Sequence, residues 1–414
     1  MTGDSKTKLL RDAEKYVLQG KIQQAIAEYL KIIKNDPNDV LTLNTIGDLY
    51  LRQGKVSEAN KHFSLVAENY ARNNFLLKAI AVYKKILNAE PGNLEINLTL
   101  ASLYMKQGLN VDARNQYLRV AELCVKEGKT REARDAYEKV AEMDPLNFSV
   151  QLRLAEIHLA EGAKDKAHAF FAGAARAQAK AGDNKGALNS FKRALQLNPV
   201  DVELMKNFLD ACIQLADVTP ALEQLKKSLG MAPDNVALHE MLGHACLAAR
   251  DPAGAEKAFQ FVQSRDESRY QSFLLVSREF LEAGDYDRAA ACLDQVIPIF
   301  ISKRESEKAI GAYTLILSSN PTHVLTLTKL EGLYSATNDR NRYLDVLEKI
   351  SSYYLSKDCS REALEYLEKI LAANPGSAKH MKLHREAFEQ AFPGMPYSSP
   401  VAAQDASHEG ALVG

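Results

Sequence analysis

From Pro37 onward, apolar and small residues recur at helical spacing between polar ones: Ile46-Gly47 and Tyr50, then Gly54, then Ala59 and Phe63. Positions three and four apart form one stripe along a helix, and a glycine between two stripes ends one helix before the next begins. The order returns at Leu154-Ala155, Gly162, Ala167 and Phe171, and at Leu242-Gly243, Ala255 and Phe259. The pattern predicts an all-α chain of paired helices.

Proline marks the interval. Pro37, Pro91, Pro145 and Pro199, each preceded by an acidic or amide residue, stand at successive steps of 54 residues. Pro233 follows after 34; a further 34 reaches Glu267, where the proline is lost, and two steps of 54 lead to Pro321 and Pro375. The stretch PNDVLTLNTIGDLY at 37–50 and its near copy PTHVLTLTKLEGLY at 321–334 are therefore equivalent places in one array. Within the longer units the pattern overlaps itself at an offset of 20 residues. Val66-Ala67 and Tyr70 close one helix and open a second pattern through Ala79, Tyr83 and Pro91. Val120-Ala121 with Gly128, Ala133 and Tyr137, and Ala174-Ala175 with Gly182, Ala187 and Phe191, repeat this, and it recurs around Val296 and Ile350. Each such unit has three helices and shares the middle one. FFAGAARAQAKAG at 170–182 is apolar or small around most of its circumference, as a helix packed on two sides requires.

The repeated small and aromatic positions resemble the tetratricopeptide repeat, a helix–turn–helix of about 34 residues. The resemblance covers residues 6–375 and implies an all-α, right-handed helical-repeat solenoid, a TPR-like superhelix with atypical 54-residue three-helix units. The expected divisions are an N-terminal pair at 1–37, three long units at 38–199, two ordinary repeats at 200–267, two further long units at 268–375, a capping helix at 376–392 and a disordered tail at 393–414. Asp12 replaces an apolar position in the first pair, which suits a partly solvated terminal repeat. Pro298 falls inside a helix that the repeat makes continuous, so a kink or break is expected there.

Charge narrows the function. The 52 basic and 53 acidic residues nearly cancel, which leaves no electrostatic footprint for nucleic acid or an anionic membrane. No stretch is long and apolar enough to span a membrane, and the polar start MTGDSKTKLLRDAEKY lacks a signal-peptide core, so no membrane insertion and a cytoplasmic location are expected. The five cysteines form no CxxC pair. Cys124, Cys212 and Cys246 occupy the register of Tyr16, Tyr50 and Tyr104, which reads as core packing.

Histidines give no metal signature. His380 and His384 could share a helix face, but no nearby Cys, Asp or further His completes a shell, though Glu386 and Glu389 lie close in sequence, and HEMLGH at 239–244 places its histidines about 140° apart on a helix. His158, at an aromatic position, and His168 read as filler in repeat helices. No phosphate-cradling loop or nucleophile elbow occurs. The expectation is a protein that is not an enzyme and needs no cofactor or metal.

What remains is binding. In a helical-repeat solenoid the first helices line a concave surface. By register its outward residues are Asn44, Asp48, Arg52, Ser102, Lys106, Arg153, Glu156, Lys206, Asp210, His244, Arg278 and Lys329. Relatives that grip a C-terminal carboxylate carry a Lys/Asn, Asn, Lys/Arg set; the matching places here are Lys206 and Asp210, then Met241, then Gln271 and Leu275, and Asp210 would repel a carboxylate. The expected function is a protein-interaction scaffold or adaptor that takes a protein or peptide segment in the groove. The alternative is a chaperone-like or regulatory subunit of a secretion, motility or envelope-assembly machine. Partner identity and oligomeric state are not legible in the residues.

Overall fold

The computed structural model describes residues 3–400, and their only regular element besides α-helices is a three-residue 3-10 turn, Glu267–Arg269. The chain divides after Pro199 into two compact units.

The first unit is α1 (Gly3–Leu18), α2 (Ile22–Asn35), α3 (Val40–Arg52), α4 (Val56–Arg72), α5 (Leu76–Ala89), α6 (Leu94–Lys106), α7 (Asn110–Lys126), α8 (Thr130–Met143), α9 (Phe148–Ala160), α10 (Lys164–Lys180) and α11 (Asn184–Leu197). Two residues after each repeat proline stands the cap that starts a first helix. The side chains of Asp39, Asn93 and Asn147 accept from the backbone N–H of Thr42, Ile96 and Val150 at 3.3, 3.1 and 3.2 Å. Each satisfies a donor that the helix start leaves open, worth about 1 kcal/mol. The turn after the first helix needs a left-handed residue, supplied by Gly54 (φ +73°) and its copies Gly108 and Gly162.

First and middle helices lie very close. A Cβ at Gly47 would meet the Phe63 ring at 2.5 Å, so only glycine fits as the helices stand. Ala101 and Ala155 take this register in the next two units, opposite Tyr117 and Phe171. Each middle helix packs on both its neighbours; α10 accordingly buries Ala167, Phe171, Ala172, Ala174, Ala175, Ala177 and Gln178 between α9 and α11. The α1–α2 pair matches α4–α5 in register, with Tyr16, Gly20, Ala25 and Tyr29 for Tyr70, Asn74, Ala79 and Tyr83.

The second unit opens with two helix pairs, α12 (Val202–Gln214) with α13 (Thr219–Met231) and α14 (Val236–Ala248) with α15 (Pro252–Arg265). Then come α16 (Gln271–Glu282), α17 (Tyr286–Asp294), α18 (Ile297–Ser302), α19 (Ser306–Ser319), α20 (Val324–Ala336), α21 (Arg340–Ser356), α22 (Ser360–Ala373) and α23 (Ala378–Ala391). The middle helices α4, α7, α10 and α21 each run unbroken for 17 residues. Their counterpart here is split into α17 and α18, with Pro298 in the first turn of α18. Proline has no N–H to donate and its ring crowds the preceding turn. The amides of Gln295 and Val296 accordingly turn to carbonyls three residues back, at 3.3 and 2.8 Å.

The capping helix is α23. Beyond it, within residues 393–400, Tyr397 packs edge-on against Phe388 (centroids 5.6 Å) and its hydroxyl meets His384 Nδ1 at 3.2 Å. The rest of the expected tail, 401–414, lies outside the described residues.

Candidate partner-binding clefts

The repeat builds one cleft more than once in the first unit. Tyr29 on α2 forms the floor of a cavity of ≈ 410 Å³, walled on one side by Glu14, Val17 and Leu18 of α1 and on the other by Thr45, Asp48, Leu49 and Arg52 of α3. Tyr137 on α8 forms the floor of a second, of ≈ 800 Å³, whose walls include Glu122, Val125 and Lys126 of α7 and Arg153, Glu156, Ile157 and Ala160 of α9. Each lining position of the first recurs 108 residues later in the second. Between them Glu68, Tyr83, Thr99, Ser102 and Lys106 hold the intermediate register.

The tyrosines are buried, 5% exposed at Tyr29 and Tyr83 and 7% at Tyr137. None of their hydroxyls has a hydrogen-bond partner among the described residues. Burial, then the Glu14 carboxylate, pushes the Tyr29 phenol up; burial followed by Glu68 and Glu95 does the same at Tyr83. At Tyr137 burial also dominates, with Arg153 opposing it and Glu122 adding to it.

The first-helix acids are engaged within their own units. Asp48 pairs with Lys85 on α5 (2.5 Å), and Lys85 lies over the Phe63 ring at 4.2 Å. Glu156 pairs with Arg193 on α11 (3.3 Å), and Arg193 lies over Phe171 at 4.1 Å. In the unit between them Ser102 replaces the acid, and Lys139 turns to Glu142 at 2.8 Å. Sequence reasoning missed these pairs, although the separation of 37 residues from acid to base recurs in both.

In the second unit the same register is occupied from within. Tyr313 on α19, 2% exposed, donates its hydroxyl to Asp294 Oδ1 at 2.6 Å, and Lys329 Nζ of α20 donates to Asp294 Oδ2 at 2.9 Å. Tyr313 and Lys329 stand 284 residues from Tyr29 and Thr45, the interval that separates the two copies of the opening stretch.

The twelve expected groove residues fall into local groups. Asn44 donates to Asp48 (3.3 Å) with Arg52 a turn further on, and Arg153 and Glu156 pair at 3.5 Å. Ser102 is half-buried and donates to the Thr99 carbonyl, while Lys106 is exposed. Lys206 and Asp210 are exposed on α12, and exposed Arg278 faces Glu282 at 3.6 Å. Lys329 holds Asp294, as above. His244 is exposed and lines a cavity of ≈ 680 Å³ with Glu240, Arg269 and Leu275.

Cys124, Cys212, Cys246 and Cys292 are buried, and burial pushes their thiols up, to about 11 at Cys212 and about 12 at Cys292, which keeps them protonated. His380 Nε2 faces Glu348 at 3.0 Å and His384 Nε2 faces Glu368 at 3.6 Å, so the two rings turn to different acids. His158 is buried and stacks on Phe170. Among the described residues no three His, Cys, Asp or Glu side chains are grouped to hold a metal ion, and no helix is long and apolar enough to cross a membrane.

A repeating all-α array with a cleft rebuilt at its own period defines the class: a helical-repeat protein. The model of the tetratricopeptide repeat family matches residues 76–122 and 125–181, within the first unit. Among solved structures, yeast Tom70 is 14% identical, covering 89% of this chain and 99% of that one, with a TM-score of 0.26. MamA from Desulfovibrio magneticus is 16% identical over 46% of this chain and 96% of that one (TM-score 0.28). The type IV pilus biogenesis factor PilW is 16% identical over 61% and 98% (TM-score 0.28). Likeness of this degree does not extend to function. No curated protein matches the chain in sequence.

Proposed function

We propose that the protein is a non-enzymatic, cytoplasmic scaffold or adaptor that holds a segment of a partner protein along the clefts between its helices. The observation that carries this reading is the recurrence of one cleft at a fixed interval, with a buried tyrosine beneath and apolar and charged side chains on both walls. A peptide laid across such clefts gains many small contacts, and the buried polar groups fix its register. Tetratricopeptide-repeat chains are in general protein-binding, which supports the same reading.

The test is site-specific photo-cross-linking in cells. A cross-linker at position 52 or 153, inside the clefts, is expected to capture the same few partners in stoichiometric amount, whereas one at exposed Lys31, which lines neither cleft, is not. Equal capture from all three positions contradicts the cleft reading. Capture of many unfolded chains points instead to a chaperone-like subunit.

A further inference from the structure

Four copies of one register differ in whether the chain itself places a cation at the position of Thr45, Thr99, Arg153 and Lys329. In the second unit Lys329 reaches over Tyr313 to Asp294. In the third long unit of the first half Arg153 stands at this position, lining one cavity with Tyr137 and 3.5 Å from Glu156. The other two copies carry Thr45 and Thr99, whose hydroxyls turn back to the carbonyls of Leu41 and Glu95 at 3.0 and 2.8 Å.

Of these two, the Thr99 copy has its acid already engaged, since Glu68 is paired with Arg72 at 3.2 Å. The Thr45 cleft is not. Glu14 lines it, is exposed, and has no ion pair among the described residues. Tyr29 beneath is 95% buried, with its hydroxyl unpartnered in the same cavity. The hydroxyl opens into the cavity and is free to accept a donor, and the carboxylate beside it sets the sign of what completes the site. The other acid of the cleft, Asp48, already has Lys85, and Arg52 sits at the far rim one turn on. Val17, Leu18 and Leu49 supply apolar walls, with Leu18 89% exposed, and these suit the methylene stem of a long basic side chain.

We infer that the cleft between α1 and α3 receives a lysine or arginine side chain from an extended segment of a partner protein, its stem on Val17, Leu18 and Leu49, its charge on Glu14 and the Tyr29 hydroxyl. The partner thereby supplies the cation that Lys329 supplies in the second unit. This rests on the scaffold reading above and adds the chemistry of the segment.

The test uses the full chain with ring-labelled tyrosine, followed by NMR during titration with the peptide Ser-Leu-Lys-Leu-Ser and its counterpart carrying norleucine in place of lysine. The lysine peptide is expected to shift the Tyr29 ring saturably and leave Tyr313 unmoved, and the norleucine peptide to do neither. Glu14→Gln weakens binding roughly tenfold, the effect of removing one charged hydrogen-bond partner. Thr45→Lys fills the cleft from within and abolishes the shift; hydrogen exchange of α1 to α3 verifies that both variants fold.

Equal shifts from the two peptides overturn the inference, as do unchanged affinities in both variants. Equal potency of n-butylamine and the lysine peptide also overturns it, because the site would then take a free amine and not a segment. If positions 52 and 153 capture a partner while the lysine peptide leaves Tyr29 unmoved, the scaffold reading stands and this inference falls. If neither responds, both fall.

Discussion

Tyr29 and Tyr313 occupy one register in two copies of the repeat and live in opposite circumstances. Tyr313 gives its hydroxyl to Asp294, and Lys329 closes the network. Tyr29 is nearly as buried, yet its hydroxyl lacks a partner and faces an open cavity. The register is shared, and the difference lies in a few side chains and in the helix break that one of them makes: Leu10 where the second unit has Asp294, Glu14 where it has Pro298, and Thr45 where it has Lys329. Pro298 therefore breaks a helix at the position that carries the cleft acid in the first unit. A repeat can thus turn the same cleft either into an internal network that stiffens the array or into a place for something else.

Exchanging residues between the copies probes how far they differ. The largest effect is expected where the frame itself is not interchangeable. Glu331 stands at the Gly47 register, with Leu347 at that of Phe63, and it reaches Lys369 at 3.0 Å. Gly47→Glu forces a side chain into the Phe63 ring, and should cost about 3 kcal/mol or more and remove amide protection from α3 and α4 together. Unchanged protection would show that the helices part easily.

Tyr313→Phe removes a hydroxyl bound to a carboxylate and should destabilise α19 by about 1.5–3 kcal/mol, read by hydrogen exchange. Tyr29→Phe removes a hydroxyl that holds nothing and should change α2 by less than about 0.5 kcal/mol in either direction. Pro298→Ala should join α17 to α18 and slow exchange of the amides at 296–300, with a gain of about 1 kcal/mol; faster exchange there would mean that the break is favoured by packing and not imposed by the proline.

The smallest effect lies at the end of the second unit. Burial, only partly offset by Glu368, holds the His384 imidazole below its ordinary 6.5. The folded state thus binds its proton less readily than the unfolded one. The stability it contributes is whole above about pH 6.5 and is lost as pH falls toward the folded value. Exchange of α23 should accelerate modestly from pH 7 to pH 5, and His384→Leu should flatten that dependence.

Much of the frame could be read directly. A proline precedes the first helix at Pro37, Pro91, Pro145, Pro199, Pro233, Pro321 and Pro375, and Pro298 stands in the first turn after the break between α17 and α18. The caps are legible too, as Asp or Asn two residues after Pro37, Pro91, Pro145, Pro199 and Pro233. The clefts were less accessible. Register marked Asp48, Arg52, Arg153 and Glu156 as outward-facing, and all four line cavities. Register alone cannot say that Asp48 and Glu156 are held by cations two helices away, because that pairing exists only once three helices stack. Tyr137 reads as a packing aromatic for a related reason: a helical stripe identifies which side chains are buried, not which buried hydroxyls find a partner.

The distinction between a filled and an open copy is tested most directly by two double-mutant cycles read by hydrogen exchange, Tyr313→Phe with Asp294→Asn and Tyr29→Phe with Glu14→Gln. The expected coupling is about 1–2 kcal/mol for the first pair and within about 0.3 kcal/mol of zero for the second. Equal couplings in the two cycles would contradict it.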